Sequence, residues 1–378
     1  MGERGTKGTT GRGRIALVHP TYWPEVRRGS ERVIHDLAEY LAERGFEPTV
    51  VTGRRARPER TVEDGFVVER GWRPPGRLQP PGLEPYANHA LVSLLQVARG
   101  GFDLVHAFYL PHAAAAAVWS RFARWPLVVS LMGFPDARSV AAYRGRAQAL
   151  RYAASRARGL HVLSEAARVA LLEATGFDAT VIHPGTRTSD FAVHEPKAPE
   201  PTVFCASSPV DPRKRVGKLL AEFAELRRDL PKARLVVTGP VPAELRQSMH
   251  DAGAEALSES IGQDTLRRAY ARSWVTVLPS TREGFGQVLV ESLAAGTPVV
   301  ALRSGAASEI VDGPEVGVLC DGEAPGLLAA ALREALALAE RPGTRDACRT
   351  RARAWDWSVV GPRFEAMYAR AMCSVSRG

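Results

Sequence analysis

The chain has 378 residues, of which 45% are hydrophobic and 24% are charged, close to the average composition of globular proteins. These values exclude a wholly disordered chain, a collagen-like repeat and a small disulfide-stapled scaffold. The length favours two or three domains of ~150 residues each. The formal net charge is +9, and only five of the 50 basic residues are lysines. An arginine bias of this kind fits genomic base composition as well as affinity for phosphate, nucleic acid or an anionic membrane, so charge alone selects no partner.

The cysteines and the N-terminus indicate the cellular context. The four cysteines are scattered, without a Cys-x-x-Cys pair or a Cys/His spacing that suits zinc. Residues 1–13 are rich in glycine and arginine and lack the apolar segment of a secretory signal. No run approaches the ~18 apolar residues that span a bilayer. We therefore expect a disordered tail over residues 1–13 and a cytoplasmic protein, with peripheral association at the inner face of the membrane left open.

The first predicted elements form a βαβ unit, with a strand at residues 14–18, a helix at 31–44 and a strand at 49–52. The first strand is continuously apolar, as expected of a parallel strand covered on both faces. The helix has apolar residues three and four positions apart, and Gly45 is placed to end it. Strand, helix and strand in this order imply a right-handed crossover.

The same alternation continues along the chain. An arginine- and proline-rich segment at 54–84 is predicted to be a loop with an edge strand at 66–68. The later predictions of the first half are strands at 102–107, 126–131, 160–163 and 180–182, with a helix at 113–123. Residues 195–201 contain three prolines, which is typical of an extended linker. The second half is predicted to have a helix at 216–228 and strands at 202–206, 234–238, 274–278 and 298–301. The pattern predicts two Rossmann-like, doubly wound α/β domains, residues 14–194 and 202–354, with a ligand cleft at the carboxyl ends of the strands.

The most informative segment follows the predicted strand that ends at Leu278. Its loop contains Gly284 and Gly286 and leads into a helix that begins near Gln287. The free amides of a helix N-terminus bind anions, and glycines allow the ligand to approach the backbone closely. The segment therefore predicts an anion-binding loop.

Two glutamates bracket this loop. Glu283 precedes the helix and Glu291 lies about one turn inside it, a separation of ~10 Å at ~1.5 Å per helical residue. At such a distance two carboxylates do not share a proton but suit two different sets of hydroxyls, such as those of a hexose and a ribose. An isolated pair would be interpreted as a helix-surface residue and a helix-cap acid. The position between two apolar strands favours a functional pair.

This segment, with Gly296-Thr-Pro-Val-Val that follows it, resembles the Glu-x7-Glu signature of the family-four retaining glycosyltransferases, which have the GT-B fold. The resemblance extends over nearly the whole chain, through residues 14–52, 102–107, 181–191 and 355–372. It implies two Rossmann-like domains facing across a cleft, the first on the acceptor side and the second binding the nucleotide sugar. It also implies that residues 355–378 form a C-terminal helix that packs back on the first domain.

The resemblance implies a role for each matching residue. Glu291 would hold the ribose hydroxyls and Glu283 the hydroxyls of the donor sugar. Lys214 would neutralise the diphosphate, and a cation there is also expected because the leaving diphosphate gains charge as the glycosidic bond breaks. Glu283 and Lys214 are thus the implied catalytic residues. The implied donor-binding residues are these two with Gly29, Arg215, Gly284, Phe285, Gly286, Gln287 and Glu291.

Three positions depart from the family pattern. The glycine pair of the first domain is Arg28-Gly29 here, where Gly29 can still offer its amide to a phosphate and Arg28 would either crowd the site or add a cation. Ser207-Ser208 stands where relatives usually have Gly-Arg, so that either Arg213 or Arg215 supplies the charge or the diphosphate is held less tightly. Met132-Gly133 stands where relatives often have a histidine before glycine, and that histidine's role is a hydrogen bond to the donor sugar. Met132 and Gly133 are therefore candidate donor-sugar contacts, and donor identity and the level of activity stay open.

Together these features imply a retaining hexosyltransferase of carbohydrate biosynthesis that needs no metal or other cofactor. The donor would be a nucleoside-diphosphate sugar, with UDP favoured, and the acceptor a glycan, a lipid-linked glycan or a small natural product. A relative that binds nucleotide sugars without turnover is the alternative, because of Ser208 and Met132. A nicotinamide-dependent oxidoreductase would need Gly-x-Gly-x-x-Gly where this chain has residues 19–24. No nucleic-acid partner is expected, since only net charge suggests one.

Overall fold

The computed structural model describes residues 12–26, 28–123, 125–257 and 262–373, so that residues 1–11 of the predicted tail lie outside it. The described chain forms two compact units. The N-terminal unit contains residues up to Val162, Arg168–Ile182 and the segment from Gly361 onward. The C-terminal unit contains Leu163–Ala167 and His183–Val360. Among these described residues no helix is long and apolar enough to cross a membrane.

The N-terminal unit is built on an eight-stranded sheet. Its strands are β1 (Arg14–Val18), β2 (Glu47–Arg54), β3 (Glu59–Glu63), β4 (Phe66–Trp72), β5 (Leu104–Ala107), β6 (Leu127–Leu131), β7 (Gly159–Val162) and β8 (Thr180–Val181). The helices among them are α1 (Gly29–Glu43), α2 (Ala90–Gly100), α3 (Leu110–Ala123), α4 (Ala137–Ala141), α5 (Arg146–Arg156) and α6 (Glu165–Thr175). The strand order is β3-β4-β2-β1-β5-β6-β7-β8. Four of the five β1 residues are buried, as the continuous apolar run predicts for a strand covered on both faces.

The prediction of an edge strand at residues 66–68 is wrong. β4 pairs with β2 on one side and with β3 on the other, and β3 is the edge strand. β3 and β4 are antiparallel and are joined by Asp64-Gly65, both with positive φ (46° and 84°). Such a two-residue turn matches the twist of the strands, and an Asp-Gly dipeptide is its usual sequence signal. We did not predict this hairpin, because the arginine and proline content of the segment is typical of a loop.

The C-terminal unit is built on a six-stranded parallel sheet in the order β11-β10-β9-β12-β13-β14. Its strands are β9 (Thr202–Cys205), β10 (Arg234–Thr238), β11 (Ala254–Leu257), β12 (Val275–Leu278), β13 (Val299–Leu302) and β14 (Gly317–Cys320). The remaining helices of the chain are α7 (Thr188–Phe191), α8 (Val216–Asp229), α9 (Arg246–Asp251), α10 (Gln263–Arg272), α11 (Gln287–Ala294), α12 (Ala307–Ile310), α13 (Leu327–Ala339), α14 (Thr344–Ala352) and α15 (Trp357–Cys373). The core of this unit is formed mainly by α8 and α13 against the sheet, around Phe223, Leu235 and Leu332.

The boundary between the units lies earlier than residues 195–201. The Thr186 amide donates to the Trp355 carbonyl (2.8 Å), and the Thr188 hydroxyl donates to Asp356 (2.6 Å). Arg267 pairs with Asp190 at 2.5 Å. These contacts hold residues 183–194 in the C-terminal unit, whereas we predicted them in the first domain.

The segment predicted as an extended linker packs on the C-terminal unit. Lys197 Nζ donates to the Ser273 carbonyl (2.5 Å) and to the Thr297 hydroxyl (2.6 Å). Burial, with the nearby charge of Arg345, lowers the pKa of Lys197 to about 7. Residues 195–201 therefore belong to a folded surface and do not form a free spacer.

Helix α15 returns the chain to the N-terminal unit from Gly361 onward. The Glu365 carboxylate accepts from the Tyr40 hydroxyl (2.6 Å) and from Arg44 Nε (3.0 Å), both on or next to α1. Arg12 Nη1 lies 2.6 Å from the other oxygen of Glu365. One carboxylate thus ties the C-terminal helix to the beginning of the chain.

Candidate functional site

The candidate site of the C-terminal unit lies where its strand order reverses. β9 has β10 on one side and β12 on the other, and in doubly wound sheets ligands bind outside the carboxyl ends of the strands at such a point. The loop after β9 carries Lys214, and the loop after β12 carries Glu283. The topology alone therefore brings the two predicted catalytic residues to the same edge of the sheet.

Lys214 and Glu283 are in direct contact, with Nζ hydrogen-bonded to Oε1. Both side chains are about one quarter exposed, at 26% and 23%, so the pair is open to a ligand. Lys214 ends a short 3-10 turn, in which the carboxylate of Asp211 accepts from the Arg213 amide at 3.0 Å. Local turn chemistry therefore holds the backbone that carries the lysine.

The backbone of the Glu283 loop is held by the loop after β13. A Cβ at Gly305 would lie 2.5 Å from the Glu283 carbonyl oxygen, and Gly305 has a φ of +60°. The Arg282 amide donates to the Ser304 hydroxyl at 3.2 Å. Only glycine allows this approach, so Gly305 positions Glu283 although the sequence analysis did not select it.

Helix α11 begins at Gln287 immediately after Gly286, which has a φ of +98°. The left-handed conformation favours glycine, and a Cβ there would lie only 3.1 Å from the Leu278 side chain. Because the N-cap residue has no side chain, no side-chain cap covers the first amides of α11. An uncapped helix start of this kind has the geometry for an anion.

Glu291 lies in α11 and is almost completely buried, with 3% of its surface exposed. Its carboxylate accepts from the hydroxyl of Tyr270 at 2.7 Å. Tyr270 lies on α10 and is fully buried. Tyr270 could not be selected from the sequence, since its only signal is one apolar position on an amphipathic helix.

The side chains of Gln287 and Phe285 contact other residues of the C-terminal unit. Gln287 Nε2 donates to the Gly185 carbonyl (3.1 Å) and to the Thr186 hydroxyl (3.2 Å). The ring of Phe285 lies 5.3 Å from that of His183, measured between centroids. Donor binding by these two residues stays a prediction, and it concerns their backbone amides.

The arginines next to Lys214 have carboxylate partners of their own. Arg215 makes two parallel hydrogen bonds to Glu323 (2.7 and 2.8 Å), and Arg213 pairs with Asp211 at 2.7 Å. Ser208 is close to Gly239 of the neighbouring loop, with its hydroxyl 3.3 Å from the Cβ position there. The structure therefore joins Lys214 to Glu283 but directs Arg215 to another carboxylate.

The predicted residues of the N-terminal unit lie at the carboxyl ends of β1 and β6. Gly29 is the first residue of α1, with no heavy atom within 4 Å of its Cβ position. Next to it, buried Glu31 accepts from the Thr21 hydroxyl (2.6 Å) and the Ser30 hydroxyl (3.0 Å). Met132 is half-buried and Gly133 is exposed directly after β6.

A chain of buried hydrogen bonds crosses the N-terminal sheet from α15. Because the Ile182 carbonyl can only accept, His161 Nε2 donates to it (2.6 Å) and its Nδ1 accepts from the Ser130 hydroxyl (2.5 Å). Ser130 in turn accepts from His106 Nε2 (2.6 Å), and His106 Nδ1 accepts from the Tyr368 hydroxyl (2.7 Å). Burial holds the pKa of His106 well below its ordinary value.

Two further buried imidazoles of the N-terminal unit lie next to each other. His89 Nδ1 and His112 Nε2 are 3.0 Å apart. Burial, with the charge of Arg73, lowers the pKa of His89 to about 4, and burial also holds the pKa of His112 well below its ordinary value. Burial likewise lowers the pKa of His19, against the opposing effect of Glu31. Neutral histidines are therefore part of the folded N-terminal unit.

Two protein-family models match this chain. The model of "Glycosyltransferase Family 4" matches residues 27–190, and the model of "Glycosyl transferases group 1" matches residues 188–355. The two matches follow one another through both units. This chain belongs to the family-four glycosyltransferases of the GT-B fold. The recognition made from the Glu-x7-Glu segment is therefore confirmed at the level of the family and the fold.

Curated relatives match this glycosyltransferase over nearly its whole length. The phosphatidyl-myo-inositol mannosyltransferase of Mycobacterium tuberculosis is 29% identical over 94% of this chain and 96% of its own. The D-inositol 3-phosphate glycosyltransferase of Thermobispora bispora is 26% identical over 92% of this chain and 91% of its own. Both are glycosyltransferases by name.

Solved structures share the fold at lower identity. The sucrose-phosphate synthase of Thermosynechococcus elongatus superposes with a TM-score of 0.82, at 19% identity, over 96% of this glycosyltransferase and all of that chain. Anabaena HepE in complex with UDP-glucose superposes with a TM-score of 0.72, also at 19% identity and with the same coverage. These neighbours support the GT-B fold.

Proposed function

We propose that this glycosyltransferase moves a hexose from a nucleoside-diphosphate sugar to an acceptor hydroxyl with retention of the anomeric configuration. The observation that carries the proposal is the contact of Lys214 with Glu283 at the strand-order reversal of the C-terminal unit. This contact joins a cation to a carboxylate of the loop that leads into α11, whose start has no side-chain cap. A cation and free helix amides suit the diphosphate, and a carboxylate suits the sugar hydroxyls.

The proposed roles follow from charge and position. As the bond between the sugar C1 and the diphosphate oxygen breaks, negative charge grows on the diphosphate, and a fixed cation at Lys214 lowers that barrier. Glu283 accepts hydrogen bonds from the sugar hydroxyls, and Glu291 accepts them from the ribose. The acceptor oxygen bonds to C1 on the face that the diphosphate leaves, and its proton passes to the leaving diphosphate oxygen.

The donor is proposed to be a UDP-sugar and the acceptor a lipid-linked or glycan hydroxyl. HepE, which shares the fold, forms a complex with UDP-glucose, and a curated relative is named as a phosphatidyl-myo-inositol mannosyltransferase. Another relative, which matches 36% of this chain, is named as GDP-mannose-dependent, so the base is the first property to test. A lipid acceptor would bring the enzyme to a membrane surface.

A screen of UDP-, GDP-, ADP- and dTDP-sugars by thermal stabilisation tests the donor, because one hit identifies base and sugar together. A donor present at a concentration of ~100 times its Kd is expected to raise the free energy of unfolding by ~2.7 kcal/mol. Release of nucleoside diphosphate in the presence of an acceptor then tests turnover. No stabilisation by any of the four classes would contradict the proposal.

The second candidate is a relative that binds nucleotide sugars without turnover. It is favoured by Ser208, which lies where relatives have a cation, and by the carboxylate partners of Arg213 and Arg215. A hit in the binding screen with neither transfer nor donor hydrolysis would support this candidate. Turnover lost on substitution of Lys214 would exclude it.

A further inference from the structure

Helices α2, α3 and α5 form one layer on the N-terminal sheet. Each leads from one parallel strand to another in the same direction across the sheet, from β4 to β5, from β5 to β6 and from β6 to β7. Right-handed crossovers place all three on the same face. α3 contacts both α2 and α5. Helix α1 connects strands in the opposite direction and therefore lies on the other face.

This layer has an unusual charge. None of the residues of α2, α3 or α5 is acidic, whereas five are arginines: Arg99, Arg121, Arg146, Arg151 and Arg156. Arg146 lies 3.4 Å from Glu84. The other four are exposed and, among the residues that the structure describes, have no carboxylate within salt-bridge distance. Helix α6, which connects β7 to β8 on the same face, contains Glu165 and Glu173. Helix α1 on the opposite face contains four acidic residues.

The same layer exposes large apolar side chains. On α2, Leu91 is 69% and Leu95 is 55% exposed. On α3, Val118 is 49%, Trp119 is 37% and Phe122 is 72% exposed. Single exposed apolar side chains are ordinary, but five on two contacting helices are typical of an interaction surface.

The aromatic and cationic side chains meet at one edge of the layer. Because the three helices run antiparallel to the strands they connect, their last turns lie at the amino edge of the sheet. The last turns carry Arg99 on α2, Trp119, Arg121 and Phe122 on α3, and Arg156 on α5. The rings of Trp119 and Phe122 are in contact, with centroids 6.0 Å apart. We call these five residues the basic aromatic edge.

We propose that the basic aromatic edge docks the enzyme on the anionic surface of a lipid bilayer. Arginines are attracted by anionic headgroups, and Trp and Phe rings gain free energy at the boundary between headgroups and acyl chains. The exposed aliphatic side chains of α2 extend the surface that would leave water. The proposal goes beyond the proposed function, because this edge lies at the amino ends of the strands and not at the carboxyl ends, where ligands bind.

The composition of the layer favours a bilayer over the other partners. In a symmetric dimer through this face, unpaired arginines would meet their own copies, which is repulsive. Single-stranded nucleic acid stacks its bases on aromatic rings but leaves Leu91, Leu95 and Val118 in water. An anionic bilayer offers both negative charge and an apolar interior.

Co-sedimentation with vesicles tests the proposal on the full chain. We expect the wild-type chain to bind vesicles of phosphatidylcholine mixed with phosphatidylglycerol about tenfold or more tightly than vesicles of phosphatidylcholine alone. The triple variant Arg99→Gln, Arg121→Gln, Arg156→Gln should lose about fivefold in affinity for each arginine. The double variant Trp119→Ser, Phe122→Ser should lose binding while keeping the charge.

The matched control is Arg363→Gln with Arg370→Gln, two exposed arginines on α15, which packs beside α1 on the other face. This control should bind mixed vesicles as the wild-type chain does. Equal binding by the edge variants and the control would overturn the proposal, as would wild-type failure to bind mixed vesicles. A wild-type dimer that Trp119→Ser, Phe122→Ser dissociates, or tighter binding to oligonucleotides than to vesicles, would also overturn it.

Calorimetry with the nucleotide sugar separates this proposal from the proposed function. The edge variants should bind the donor as the wild-type chain does, since they keep Lys214 and Glu283. If the wild-type chain binds mixed vesicles but no nucleotide sugar, the proposed function fails while the docking surface stands. If it binds the donor but not the vesicles, only the docking surface is overturned.

Discussion

In both units the first strand has a neighbour on each side, β2 and β5 around β1, and β10 and β12 around β9. The C-terminal unit places a partly exposed cation and carboxylate, Lys214 and Glu283, beyond this point. The N-terminal unit places buried polar groups there, with Glu31 bonded to Thr21. At the same position of the topology, the C-terminal unit thus has charged side chains that a ligand can reach. The N-terminal unit has buried polar groups that are hydrogen-bonded to each other. Topology provides the position of a site, and the loop residues decide whether a charged ligand fits it.

The largest expected effect concerns the charged pair of the C-terminal unit. Lys214→Ala removes the cation proposed for the leaving diphosphate and should lower kcat by ~10²–10³, as the loss of one transition-state contact typically does. Lys218→Ala is the matched control, because that lysine donates to the Glu323 carbonyl and is not among the implied donor-binding residues. Steady-state kinetics with the donor from the screen would check both. Equal losses of kcat in the two variants would show that the net positive charge of this region, and not the position of Lys214, determines the rate.

The histidines of the N-terminal unit predict a different response to acid in the two units. His19, His89, His106, His112 and His161 are buried there, and burial lowers the pKa of the first four. The unfolded chain therefore binds more protons below pH ~6.5, so stability is full above that pH and falls as the pH drops. His89, with a pKa of about 4, alone contributes ~1.4 kcal/mol per pH unit between pH 6.5 and 4.

Hydrogen exchange followed by mass spectrometry at pH 7.5 and pH 5, corrected for intrinsic rates, would compare the units directly. Peptides that cover β5, β6 and β7 should lose protection at pH 5 before those that cover β9, β12 and β13. Simultaneous loss in both units would contradict the assignment of the acid response to the buried histidines.

Glu291 is expected to affect donor affinity more than the chemical step. Glu291→Gln removes one charged acceptor, and a hydrogen bond to a charged group is worth ~1.5–3 kcal/mol, or ~10–100-fold in Kd. Tyr270→Phe is the companion variant, because it keeps the carboxylate and removes only the partner at 2.7 Å. Calorimetry should show a large loss for the first and a smaller one for the second. Unchanged affinity in Glu291→Gln would remove this residue from the site.

The smallest effect is expected at the C-terminal helix. Tyr368→Phe leaves His106 Nδ1 buried without its donor and should cost ~1–3 kcal/mol of the free energy of unfolding. Urea unfolding monitored by circular dichroism measures it. Because Tyr368 is in the N-terminal unit, affinity for the nucleotide sugar should not change. A loss of affinity equal to that of Glu291→Gln would show that the units do not divide their roles in this way.

The sequence predicted much of the fold because its strands are continuous apolar runs. Residues 14–18 form β1 as predicted, and the helix predicted at 31–44 is α1. β3 was missed, because an exposed edge strand lacks an apolar run. Of the candidate site, Lys214 and Glu283 could be predicted, because the resemblance to a family implies a role in donor binding for both. The partner of Arg215, the contact of Tyr270 and the close approach of Gly305 depend on residues distant in the chain, and no local pattern encodes them.

A crystal structure with a bound nucleoside-diphosphate sugar tests the central claim most directly, since each unit has a point of strand-order reversal. The account predicts the diphosphate within hydrogen-bond distance of Lys214 Nζ, the sugar hydroxyls on Glu283 and the ribose hydroxyls on Glu291. A nucleotide whose diphosphate and sugar contact none of these three residues, and which lies instead on the N-terminal unit near Glu31, would contradict it.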